Sequence, residues 1–188
     1  MLIELYRRDL DQHCSEYWGP KTDERIWQGG PALPSECRIA IYPPSNKTGC
    51  WIYATSGMTP FEEQSLMEIF LMSPCESEGH LELLTAIAHF HQTGALLGPE
   101  HTINFGRPWL PQSQCSFGLI THPWTFGPEM EHARLIGKDV ELLWLVPITA
   151  EEREYKIASG VSSLESLFEQ HQFNYLDPLR PSLVSPAS

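Results

Sequence analysis

One long segment of this chain is almost free of charge. Between Leu83 and Pro128 the only acidic residue is Glu100 and the only strongly basic residue is Arg107. Soluble chains normally place charged side chains wherever the backbone faces water, so a segment this apolar has to pack against the rest of the molecule. It also carries several prolines and large aromatic residues, which is typical of rigid, packed loops. We therefore expect it to contribute both core and functional site.

Composition limits the size and the partners of the fold. The chain has 188 residues and 41% hydrophobic content, which suits one domain with a substantial core. Its 24 acidic residues against 12 basic ones give a formal charge of -12. That charge opposes binding to nucleic acid or to an anionic membrane, and it favours a cationic protein partner.

The cysteines and the N-terminus indicate the compartment. Five widely spaced cysteines, an odd number without a C-x-x-C pair, are typical of reduced thiols. The first residues, MLIELYRRDLDQH, bring charge too early for a signal peptide, and no later run has membrane-spanning length. We expect a cytoplasmic protein.

The first half of the chain reads as one helix followed by strands. Helical spacing of apolar residues predicts an N-terminal helix over 1–18. Two short apolar runs, Cys37 to Tyr42 and Cys50 to Thr55, predict a hairpin. The runs Leu66 to Met72 and Val140 to Val146 are apolar at nearly every position, which predicts strands buried on both faces.

The charge-poor segment itself reads as a helix and two strands. Ser77 is a candidate N-cap for a helix that ends at Gly94 in the left-handed conformation. The strands His101 to Phe105 and Phe117 to Thr121 are expected to follow it.

Helix signals are clearest near the C-terminus. Thr149 and Glu152 have capping-box spacing before a helix that stops at Gly160. Ser162 repeats the pattern before a second helix, and the proline-rich residues 177–188 are expected to form an irregular or disordered tail. The irregular alternation of elements predicts an α+β fold over 1–188, a single domain with one mixed β-sheet packed with flanking helices.

Several histidines in or beside the charge-poor segment raise the question of chemistry. A zinc site built from His91, His101 and either Cys115 or His122 would give a metal-dependent enzyme, with His89 beside it. However, His89 and His91 point to different sides of a helix, and core or hydrogen-bonded histidines are the alternative. Cys115 with His101 or His122 also suggests a nucleophilic pair, but no recognised catalytic signature surrounds it.

Motifs for nucleotide binding and α/β-hydrolase chemistry are absent from the sequence. We therefore assign no catalytic residue, no metal ligand and no cofactor. The segment does hold residue types that are favoured at recognition surfaces, and these are the candidate partner-binding residues: His101, Asn104, Arg107, Trp109 and Trp124. The alternative is that the tryptophans are core and that Arg107 pairs with Glu100 or another neighbour.

Two motifs carry a family resemblance. One is G-x-x-HT-x-x-x-x-x-PW, formed by Gly98, His101, Thr102, Pro108 and Trp109, within LLTAIAHFHQTGALLGPEHTINFGRPWLP. The other is WL-x-PIT-x-E, within VELLWLVPITAEEREYKIASGVSSLESLFEQHQFNYLDPLRPS, and LMEIFLMSP precedes both. Together, from about Trp51 to Ser182, the sequence resembles the Suppressor of fused family.

This resemblance implies an α+β domain with a mixed sheet and without known enzymatic activity. The eukaryotic members of that family sequester transcription factors and carry a second domain, whereas this chain is similar to stand-alone bacterial members. Related bacterial domains are proposed immunity proteins that neutralise toxins. The leading hypothesis is therefore a protein-binding domain, an immunity protein whose partner is a cationic toxin domain.

Overall fold

The computed structural model describes residues 2–184 of the chain. Within that range the helices are α1 Leu2–Trp18, α2 Gly79–Thr93, α3 Pro128–Glu131, α4 Ala150–Ser159 and α5 Val161–Gln170. The strands are β1 Asp23–Arg25, β2 Arg38–Tyr42, β3 Trp51–Ser56, β4 Ser65–Ser73, β5 Thr102–Asn104, β6 Phe117–Thr121, β7 His132–Leu135 and β8 Lys138–Ile148.

All of these strands belong to one mixed sheet, as predicted. Its order is β1-β2-β3-β4-β8-β6-β5, with β7 also paired to β8. The predicted hairpin is the antiparallel β2/β3 pair, and the two most apolar runs became the central strands β4 and β8, which run parallel to each other. Ile69 of β4 and Leu143 of β8 are fully buried. The continuous apolar runs are explained by this burial on both faces.

The helices cover both faces of the sheet. One hydrophobic cluster joins α1 and α5 to one face of the sheet, with Trp18, Phe70 and Trp144 among its largest members. The other cluster joins α2 and the loop after β5 to the opposite face. The fold is therefore the predicted α+β arrangement, with the helices packed on a single sheet. Each helix within residues 2–184 is too short or too polar to cross a membrane.

Of the helix caps predicted from the sequence, one is present and two are not. The capping box is present as predicted, since Thr149 Oγ1 accepts from the Glu152 N–H and Glu152 accepts from the Thr149 N–H. The predicted caps Ser77 and Ser162 were wrong, because α2 begins after Glu78 and α5 begins at Val161, directly after Gly160.

Gly94 ends α2, but not in the predicted left-handed conformation. Its φ is −113°, and its N–H donates to the carbonyl of Phe90 at 2.7 Å. A Cβ at this position would lie 2.9 Å from that same carbonyl oxygen. The requirement for glycine is thus a close approach to Phe90 rather than a positive φ.

One carboxylate interrupts the otherwise apolar β4. Glu68 is fully buried, and burial raises its pKa. One of its oxygens accepts from Tyr6 Oη at 2.8 Å and from the Gly57 N–H at 2.6 Å, and the other from Thr55 Oγ1 at 2.6 Å and from the Met58 N–H at 3.1 Å. These four donors offset part of the cost of burial, and they tie α1 and the end of β3 to the sheet centre.

The segment after α5 returns to the body of the domain. Arg180 is 5% exposed, and its guanidinium forms two hydrogen bonds of 2.7 Å to the fully buried carboxylate of Glu152. It also donates to the carbonyl of Pro147 at 3.0 Å. Residues 177–184 contain neither helix nor strand, and the rest of the predicted tail, residues 185–188, lies outside the described residues, as does Met1 of the predicted N-terminal helix.

Candidate functional site

The loop after β5 is held against the beginning of α2 by Trp109. This side chain is 6% exposed, and its indole N–H donates to Ser113 Oγ at 3.0 Å. Its ring stacks on that of buried His80, with centroids 5.7 Å apart. Trp109 was expected at a partner surface, but the structure places it in the core. Trp109 therefore anchors the loop after β5 to α2 through its contact with His80.

Arg107 lies on the outside of the same loop. Its side chain is half exposed, and one guanidinium nitrogen lies 2.5 Å from a carboxylate oxygen of Glu82 on α2. The alternative of a structural ion pair is therefore realised with Glu82 rather than with Glu100. Because an exposed pair contributes at most about 1 kcal/mol, breaking the contact with Glu82 would cost little.

His101 directly precedes β5 and Asn104 ends it; β5 is the last strand in the sheet order, and both residues are exposed. The carbonyl of His101 accepts from the Ile120 N–H at 2.9 Å, while Asn104 Oδ1 accepts from the Gly106 N–H at 2.8 Å. The amide of Asn104 therefore fixes the turn that leads to Arg107. These two residues border a sheet edge rather than a closed pocket.

Trp124 follows β6 and is 45% exposed. Its ring packs on buried Trp144, with centroids 4.6 Å apart. A cavity of about 310 Å³ opens beside it, and its walls include Tyr175, Glu165 and Glu169. Aromatic faces with carboxylates at the rim are the surroundings that a cationic side chain prefers.

The alternative zinc trio of His91, His101 and Cys115 or His122 is not assembled among residues 2–184. His91 is buried, its Nδ1 accepts from the Leu97 N–H at 3.1 Å, and its Nε2 lies 3.2 Å from Thr59 Oγ1. Both ring nitrogens are thus occupied, and burial lowers the pKa of His91. The alternative of a core, hydrogen-bonded histidine is the correct one for this residue.

His122 does meet other possible ligands, which the sequence did not indicate. Its Nδ1 lies 2.6 Å from a carboxylate oxygen of Glu131, and this contact raises the pKa of His122. With Glu141 it forms a group in which one ligand atom from each residue lies within 4.8 Å of the others. The signal was hidden because it depends on how the end of β6 and α3 are placed beside β8.

Cys115 is not placed as a nucleophile. It is 1% exposed, and burial raises the pKa of its thiol. A catalytic cysteine needs the opposite shift, since the thiolate is the reactive form. All five cysteines are free thiols, as predicted.

A further cavity, of about 930 Å³, was also not predicted. It lies between the end of α2 and the β7/β8 edge, with walls that include His91, Leu96, His132, Arg134 and Glu141. Leu96 is 76% exposed beside it.

Comparison with known proteins places this geometry in context. The family model described as Suppressor of fused protein (SUFU) matches residues 34–181. The crystal structure of a protein described as a SUFU homolog from Neisseria gonorrhoeae FA 1090 is similar, with a TM-score of 0.83 and 29% identity over 97% of this chain and 98% of the other. No curated protein matched the chain.

Two further structures share the fold at lower identity. The Sufu-Fu complex gives a TM-score of 0.68 and 14% identity over 95% of this chain and 92% of the other. Drosophila Suppressor of Fused gives 0.67 and 15% over 93% of this chain, which spans 50% of that protein's chain.

Proposed function

The chain belongs to the Suppressor of fused family, and from this premise we propose that it acts by binding another protein and not by catalysis. The observation that carries the proposal is the open edge of the sheet at β5. A structurally similar chain occurs in the Sufu-Fu complex, so the same fold is known in a protein assembly.

The strands at the two ends of the sheet order, β1 and β5, differ in charge. Every residue of β1 is charged, whereas β5 has the sequence Thr-Ile-Asn. Charged side chains on an edge strand discourage pairing with another chain, and an uncharged edge lacks that protection. β5 is therefore the edge that can accept an extended segment of a partner.

The register of β5 shows which groups are available. The Phe105 N–H donates to the Ser116 carbonyl and the Ile120 N–H donates to the His101 carbonyl. The carbonyl of residue 101 and the backbone groups of residues 103 and 105 are therefore directed toward β6. Thr102 and Asn104 alternate with them and direct their N–H and C=O groups to the open side. Arg107 extends the same border beyond the strand.

The partner that fits this surface is cationic. The formal charge of -12 attracts a basic protein and speeds its association. Trp124 lies at the same corner, since His101 opposes Ile120 and β6 leads from there toward Trp124. Glu165 and Glu169 line the cavity beside it. We assign the role of a toxin-immunity protein on this basis: it would neutralise a basic toxin domain, such as a nuclease, by covering it.

The test changes one backbone donor. Thr102→Pro removes an outward N–H while leaving the β6 ladder intact, because proline is tolerated where the N–H of an edge strand faces solvent. Thr102→Ala is the matched control, since it changes the side chain and retains the N–H. The partner to assay is the protein encoded beside this chain's gene, with affinity measured by calorimetry and folding by urea unfolding.

We expect Thr102→Pro to weaken binding by at least about tenfold and Thr102→Ala to bind like the parent chain. Equal affinities for all three proteins would sink the edge proposal. Arg107→Ala should lose affinity without losing stability, whereas Trp109→Phe should lose stability first, because its N–H bond to Ser113 is internal. A neighbouring protein that is acidic, or that does not bind, would remove the immunity role.

A further inference from the structure

β6 and β7 follow the same side of β8, one after the other. Thr121 opposes Trp144 at the end of β6, and His132 opposes Glu141 at the start of β7. On β8 only two residues lie between Glu141 and Trp144, whereas ten residues, 122–131, lie between Thr121 and His132. The chain therefore leaves the sheet after Thr121 and returns to it at His132. We call residues 122–131 the excursion.

The two ends of the excursion meet in a neck. His122 begins it and Glu131 ends it, and their side chains are in contact at 2.6 Å. His132 Nε2 lies 3.4 Å from the same carboxylate oxygen of Glu131. Glu141 opposes His132 on β8 and completes the group. Two imidazoles and two carboxylates thus converge from the residue after β6, from α3, from β7 and from β8.

Burial and charge at the neck favour a cation. Glu131 is 6% exposed, so its carboxylate is largely removed from water, and the carboxylate of Glu141 lies close to it. Two such groups repel one another unless a positive charge lies between them. His122 is exposed and opens the neck to solvent, which gives an ion a path to enter.

The donor set selects the kind of cation. Imidazole nitrogen with carboxylate oxygen suits Zn²⁺ and other divalent first-row metals, whereas Mg²⁺ and Ca²⁺ prefer oxygen ligands alone. Ligands of one tetrahedral zinc ion lie roughly 3.3 Å apart, given bonds of about 2.0 Å. The separations of at most 4.8 Å come within reach of this by rotation of the exposed His122 side chain.

We propose that the neck is a binding site for a divalent first-row transition metal, with His122, Glu131 and Glu141 as ligands and His132 or water in the remaining position. The bound ion would join the two ends of the excursion to β8. Because the excursion presents Trp124, the ion would also restrict how that side chain moves on Trp144. This site does not depend on the protein-binding role.

The experiment titrates ZnCl₂ into untagged full-length protein that has been treated with EDTA. The background is Cys75→Ser, since Cys75 is an exposed thiol that could bind zinc by itself. Calorimetry should show one ion per chain, the melting temperature should rise with zinc, and MgCl₂ should bind at least about tenfold more weakly. Tryptophan fluorescence should change with the same midpoint, and Trp124→Phe should abolish that change.

Two ligand variants and one control locate the ion. His122→Ala and Glu141→Gln should each weaken zinc binding by at least about tenfold, because even partners outside the ligand shell change affinity by that factor. His101→Ala, which removes an exposed histidine just before β5, should bind as the parent does. The proposal is overturned if no ion binds, if magnesium binds equally well, or if the two ligand variants retain parental affinity.

Discussion

The contact between Arg180 and Glu152 allows a quantitative prediction about the last described segment. Arg180→Ala removes the guanidinium and leaves the carboxylate of Glu152 fully buried with two backbone donors, the N–H groups of Thr149 and Leu183. The carbonyl of Pro147 also loses the donor at 3.0 Å. The variant therefore still bears the cost of burying the Glu152 carboxylate but loses the guanidinium that offsets this cost.

The size of the loss follows from burial. Removing one partner of a buried ion pair costs about 3–5 kcal/mol, against a total stability of roughly 5–15 kcal/mol for a domain. For a chain of this length each 1 kcal/mol corresponds to about 2–4 °C, so the melting temperature should fall by roughly 10 °C. Urea unfolding followed by tryptophan fluorescence measures the same loss at neutral pH.

Two further variants test whether the loss in stability comes from the buried ion pair. Arg134→Ala breaks a pair of nearly the same length, 2.9 Å to Asp139, but both of its side chains are mostly exposed, and it should cost less than about 1 kcal/mol. The double variant Arg180→Met, Glu152→Gln should be more stable than Arg180→Ala, because it leaves no unpaired charge. If Arg180→Ala costs no more than Arg134→Ala, the segment 177–184 is not bound as the structure describes.

Three other predictions concern the core and its pH response. Gly57→Ala should lower the free energy of unfolding by about 2 kcal/mol or more, because the φ of Gly57 is +95° and a Cβ there would lie 2.7 Å from a backbone oxygen. Gly49→Ala is the control: its φ is also positive but the space around it is open, so it should lose only the roughly 1 kcal/mol of backbone strain. Equal losses for the two variants in urea unfolding would contradict the close contact at Gly57. Burial lowers the pKa of His80 to about 4, so the unfolded chain takes up its proton near pH 6.5 while the folded chain does not, and stability falls as pH decreases from about 6.5 to 4. In His80→Asn the fall in the free energy of unfolding over this pH range should be smaller by on the order of 3 kcal/mol. If the free energy of unfolding of the parent and of the variant changes with pH in the same way, the lowered pKa of His80 is refuted. Leu143→Ala should cost about 2–5 kcal/mol in the same urea assay, and a loss below about 1 kcal/mol would contradict its place in the core.

The central strands were predictable because their signal is local. A run such as Leu66 to Met72 contains enough apolar surface to require burial on both faces, whatever its neighbours are. The capping box at Thr149 is equally local, since its two hydrogen bonds join residues three apart. By contrast, β1 is a strand only because β2 is available to pair with it, and its three charged residues predict no strand at all.

The candidate site was less predictable because it depends on contacts distant in sequence. Trp109 has the residue type of a binding hot spot, but His80, 29 positions earlier, stacks on it and makes it core. The neck group needs both β6 and β7 to pair with β8 before Glu141 lies near His122. Residue type alone therefore could not show that one of the five candidate side chains, Trp109, is buried.

The distribution of charge along the sheet explains where function can lie. The β1 edge carries three charges, and Arg38 of β2 adds ion pairs to Glu4, Glu24 and Glu36 on the same flank. The charges on that flank discourage the pairing of another chain with β1. On the opposite flank β5 is uncharged, and the β6 path breaks at His122, which exposes Trp124 and opens the neck. A partner and an ion would thus be bound on the flank where the regular pairing of the sheet ends, while β4 and β8 keep the centre rigid.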